Sequence, residues 1–67
     1  MTVEDVKARV EEIKVIGNGD PEVAHSKEDV LYKQVLWEIS KINKGLAGDL
    51  AYEALKADEL DFPRWCA

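Results

Sequence analysis

An all-α fold, a compact domain of three helices, is what this chain predicts, and three observations carry it. Apolar residues recur at helical spacing in three segments, and no run alternates with period two for long enough to make a strand. Glycine-containing breaks, GNGD and KGLAG, separate those segments. Residues that cap helices, Thr2, Asp20 and Ser26, stand ahead of the first two.

In the first segment Val3, Val6, Val10 and Ile13 form a narrow stripe, with Glu11, Glu12 and Lys14 off it. Thr2 followed by Asp5 resembles a capping box with Asp in place of Glu. This helix is expected over residues 3–16. Gly17, Asn18 and Gly19 can take positive φ and satisfy its last carbonyls.

Two start signals follow. At Asp20-Pro21 the carboxylate can accept from free amides, and proline suits the first helical position because its missing N–H has no partner there. Ser26-Lys27-Glu28-Asp29 is a second start. Residues 21–25 are therefore a separate short turn or the beginning of one long helix. We read a short turn and then a main helix over 27–43. On it Leu31, Tyr32, Val35, Leu36, Ile39 and Ile42 span about 140° at ~100° per residue. Val30 and Trp37 fall on the opposite side, seven residues apart. A helix with two apolar sides has neighbours on both or carries an interface, so Val30 and Trp37 are interface candidates. Lys44-Gly45 closes the helix, glycine supplying a left-handed residue.

A third helix is expected over 48–58, its contact face formed by Ala47, Leu50, Ala51, Ala54 and Leu55. That face is mostly alanine and buries little. The tail, LDFPRWCA, follows over 60–67. Pro63 fixes φ, and a short turn there puts Phe62 and Trp65 on one side. Large aromatics bury about 150–250 Å² each, which the alanine-rich helix lacks. An ordered aromatic clasp on the helices is expected. The alternative is a recognition tail with Phe62, Arg64 and Trp65 as interface anchors.

Sixty-seven residues make one domain, 1–67. The net charge is −5, and residues 49–61 hold Asp49, Glu53, Asp58, Glu59 and Asp61 against Lys56. That balance disfavours direct contact with nucleic acid or an anionic membrane. Cys66 is the single cysteine, so no disulfide staples the fold, and a reducing, cytoplasmic setting is expected. The first residues are charged from Glu4 onward and read neither as a secretory h-region nor as a membrane span.

Candidate chemistry is sparse. His25, Glu28 and Asp29 could share a helix face and offer three metal ligands, which would suit a small metal-dependent hydrolase. His25 beside Ser26 suggests a nucleophile and base, but adjacent helical residues point about 100° apart. The reading preferred is structural: Ser26 caps, Asp29 returns the bond, and His25 sits at the junction of turn and helix. The Glu-x-x-Glu spacing of helical nucleotide pyrophosphohydrolases does not occur. GNG lacks the rest of a dinucleotide fingerprint, and Arg64 is the only cation near Cys66. No metal, cofactor or catalytic residue is expected.

AHSKEDVLYKQVLWEI and EALKADELDFPRWCA resemble a group of small proteins from actinobacteria and their phages. In that group a His-Ser-x-Glu-Asp segment leads into a Leu-Tyr helix, and the chain ends on Asp-Phe-x-Arg-Trp-Cys-Ala or a close variant. The resemblance covers residues 20–67. It implies a phage-linked origin and no catalytic residues.

The function expected is a non-enzymatic protein-interaction module, a small phage accessory protein binding a host or phage protein, or a second copy of itself. Two alternatives stand beside it: an acidic mimic of nucleic acid built on residues 49–61, and the hydrolase on His25, Glu28 and Asp29.

Overall fold

The computed structural model describes residues 1–60 and 62. They are all-α, with three helices and no strand among them: α1 (Val3–Gly17), α2 (Pro21–Ile42) and α3 (Leu46–Leu55), followed by a 3₁₀ turn, Lys56–Glu59. The chain divides into two units, the first reaching Tyr32 and the second starting at Lys33, so α2 contributes to both.

In the first unit α1 opens on the expected capping box. Thr2 Oγ1 accepts from the Asp5 N–H at 3.1 Å, and the Thr2 N–H donates to Asp5 Oδ2 at 2.8 Å. Two of the helix's free amide donors are satisfied in this way. The Thr2 backbone N–H, and then the Thr2 hydroxyl, hold the Asp5 carboxyl below its ordinary value. The far end departs from expectation. No glycine and no other residue takes positive φ among the described residues. Asn18 is right-handed instead, and the Gly19 and Asp20 N–H groups both donate to the Ile16 carbonyl.

Asp20 then begins α2 directly. Its Oδ1 accepts from the Val23 N–H at 3.2 Å and its carbonyl from the Ala24 N–H at 3.1 Å. The expected short turn over 21–25 is therefore corrected: these residues are the first turns of one helix that begins at Pro21, six residues before the expected Lys27. The physical reason lies in the intervening residues. Glu22, Val23, Ala24 and His25 include no glycine or proline, so nothing interrupts a helix once Asp20 has nucleated it. Ser26 is consequently an interior helical residue, and its expected capping role with Asp29 is overturned.

Ala24 and Leu31 are the buried apolar residues of this unit among those described, while α1 has none. Burying Leu31, only 3% exposed, stabilises by about 1.5–3 kcal/mol. A Cβ built on Gly17 would stand 3.5 Å from the Ala24 Cβ, ordinary packing distance, so α1 and α2 approach closely there. The packed face of α1 also differs from the expected stripe. Val6, Arg9, Ile13 and Ile16 are half-buried, whereas Val3 and Val10 are exposed. The arginine stem can cover apolar surface while its head stays in water.

In the second unit α2 ends with the Asn43 N–H donating to the Ile39 carbonyl. Asn43 Oδ1 then accepts from the Gly45 N–H at 2.9 Å, closing an Asx turn. Gly45 is extended, at φ −97° and ψ −155°, and serves as N-cap of α3 rather than as the expected left-handed residue closing α2. Two buried positions, Gly48 and Ala51, set the packed face of α3, and Leu55 is half-buried in line with them. Ala47, Leu50 and Ala54 are exposed, so the face is displaced from the one expected. The helix begins two residues earlier than expected and tightens into the 3₁₀ turn after Leu55. Leu60, with φ −71° and ψ 138°, is extended and ends it. An exposed ion pair, Lys33 Nζ to Asp58 Oδ1 at 3.1 Å, joins α2 to that turn.

Of the expected tail over 60–67 only Leu60 and Phe62 are described, 57% and 52% exposed. Arg64, Trp65 and Cys66 lie outside the described residues.

Candidate functional site

Three constellations emerge from this scaffold. The first sits on the second and third turns of α2. Because the helix starts at Pro21, His25, Glu28 and Asp29 stand at i, i+3 and i+4 within it and share one face. His25 Nε2 lies 3.8 Å from Asp29 Oδ1. One ligand atom from each of the three side chains falls within 4.8 Å of the other two. His25 and Glu28 are half-buried and Asp29 is exposed. The charge of Glu28, together with a hydrogen bond to it, raises the Tyr32 phenol above its ordinary value. Tyr32 stands one turn further along α2 from Glu28.

The second is a groove of about 460 Å³ in the first unit. Ile13, Val23 and Val30 form its apolar lining, with Arg9, Glu12 and Lys27 among the polar groups around it. Lys27 Nζ and Glu12 Oε1 are 3.7 Å apart, an exposed pair joining the two helices. Val30 is 42% exposed, so the interface candidate has an accessible surface.

The third is a groove of about 350 Å³ in the second unit, where Trp37 on α2 and Tyr52 on α3 both line the opening. Trp37 is 47% exposed. The Lys41 ammonium stands 5.0 Å from the centre of its ring, and Lys56 stands 5.3 Å from that of Tyr52. Both cations lie over aromatic faces, where the ring quadrupole attracts them. Lys56 is also drawn to Glu53, whose hydrogen bond and charge raise its ammonium above the ordinary value. Sequence reasoning named Trp37 but missed Tyr52 and Lys41. The i, i+4 spacing of Trp37 and Lys41 was the available signal for one of them. Tyr52 needed the packing of α3, displaced from its expected face.

Val30 and Trp37 thus belong to different units and line different grooves. The acidic run over 49–61 is partly neutralised: Glu53 pairs with Lys56 at 2.9 Å and Asp58 with Lys33 at 3.1 Å. No helix among the described residues is long and apolar enough to cross a membrane. Comparison with protein-family models, curated proteins and solved structures found no match.

Proposed function

We propose that this chain is a non-enzymatic protein-interaction module that docks through the Trp37 groove. The observation that carries the reading is Trp37 itself. A tryptophan half open to solvent, beside a tyrosine in a groove and under a lysine ammonium, is the kind of residue that anchors protein interfaces. The resemblance to small actinobacterial and phage proteins makes a host or phage protein the partner of choice. The acidic-mimic reading is weaker, because two of the carboxylates it needs already carry lysines.

The test compares the intact chain with Trp37→Ala, Trp37→Phe and a chain lacking residues 61–67 in capture from host lysate, with circular dichroism on each. Trp37→Ala is expected to lose the captured polypeptide at unchanged helicity, and Trp37→Phe to retain part of it. Equal capture by Trp37→Ala and the intact chain rejects the groove as the docking site. Loss only in the shortened chain transfers the role to the tail.

A further inference from the structure

We propose that His25, Glu28 and Asp29 form a binding site on α2 for one divalent transition-metal ion of the zinc class. The inference stands on geometry that the continuity of α2 creates. Were Ser26 the N-cap, Asp29 would be turned back toward the Ser26 amide and His25 would lie outside the helix. With Asp20 as the cap, all three side chains project from regular helical positions on one face.

The distances suit a small ion. Two donors about 2.1 Å from a tetrahedral zinc stand about 3.4 Å apart. His25 Nε2 and Asp29 Oδ1 are already 3.8 Å apart, and the three donor atoms lie within 4.8 Å of one another. Closing the remaining gap takes rotations of side chains on a helix surface, with no change of backbone. Asp29, the most exposed of the three, has the most freedom to make that adjustment.

Donor chemistry narrows the class of ion. One imidazole nitrogen and two carboxylate oxygens suit borderline ions such as zinc, whereas calcium and magnesium favour all-oxygen shells. Two carboxylates balance the charge of a divalent cation. The remaining coordination positions face solvent and are filled by water. Bound there, the ion clips two successive turns of α2 together, and no hydrolytic step is assigned to it.

The site is independent of the Trp37 groove, so either proposal can fail alone. The test is calorimetric titration of the chain with zinc chloride and with magnesium chloride, carried out in a Cys66→Ala background so that the thiol supplies no ligand. One zinc per chain is expected and no magnesium. Glu28→Gln and Asp29→Asn, nearly isosteric, and His25→Ala should each weaken zinc by about tenfold or more, since even outer groups are worth that much. Saturating zinc should raise the melting temperature by about 4 °C or more, because it binds only the folded chain. His25 is the single histidine, so its ring protons in the NMR spectrum report the site directly and should shift with zinc. Absence of zinc binding in the Cys66→Ala chain overturns the proposal. So does zinc affinity that survives unchanged in His25→Ala, or a histidine signal that zinc leaves in place.

Discussion

Gly48 in the first turn of α3 lies so close to the carbonyl oxygen of Asn43 that a Cβ at position 48 would overlap it. The same Cβ would also come within 3.5 Å of the Ile39 carbonyl oxygen. The end of α2 and the start of α3 therefore meet backbone to backbone, and glycine is required for space rather than for its φ. Gly48→Ala should destabilise the chain by about 1–3 kcal/mol, the usual cost of overpacking, although alanine is the better helix former. Gly19→Ala meets nothing within 4 Å and should be tolerated. Urea unfolding of the two variants separates them, and equal midpoints would contradict the contact.

The start of α2 gives a second comparison. Asp20→Ala removes the carboxylate that accepts the Val23 N–H and should cost about 1 kcal/mol. Ser26→Ala replaces an interior, exposed helical residue and should be neutral or stabilise by a few tenths of a kcal/mol. A helix starting at Lys27 requires the reverse ranking. Thermal unfolding followed by circular dichroism at 222 nm reads the order.

Acid should loosen α1 through Asp5. Its folded pKa lies below the ordinary 3.8 because the Thr2 N–H and hydroxyl favour the carboxylate. A lowered folded value means that the unfolded chain takes up the proton first. The stabilisation is therefore complete above the unfolded value and is lost as pH falls below 3.8 toward the folded one. In Asp5→Asn that part of the acid response should disappear, leaving a flatter helicity profile below about pH 4. An unchanged profile would show that the capping box contributes nothing measurable.

Much of the fold was legible in the residues. Periodicity located three helices, and Thr2, Asp5 and the Asp20-Pro21 pair marked true helix starts. What misled was a choice between two valid signals: Asp20 and Ser26 both look like caps, and only continuity through residues 22–25 decides between them. Faces were harder than elements. Arg9 takes a half-buried position on α1 that hydropathy reserves for Val10, since only its stem is apolar. Gly48 looks like a breaker and acts as a contact, because a missing side chain leaves no pattern to read. For the candidate sites, Trp37 was visible as an apolar residue on a polar side. The grouping of His25, Glu28 and Asp29 was visible as spacing, but a capping role for Ser26 and Asp29 obscured it.

The small number of buried apolar residues has a calorimetric meaning. Among the described residues Ala24, Leu31 and Ala51 are the buried apolar ones, and α1 contributes none. Unfolding these residues newly wets little hydrocarbon, so their contribution to the heat-capacity increment should fall below the usual ~12–15 cal/mol/K per residue. A small increment flattens the dependence of stability on temperature. The chain should melt over a broad interval with a modest enthalpy, yet resist cooling better than a protein held by a large core.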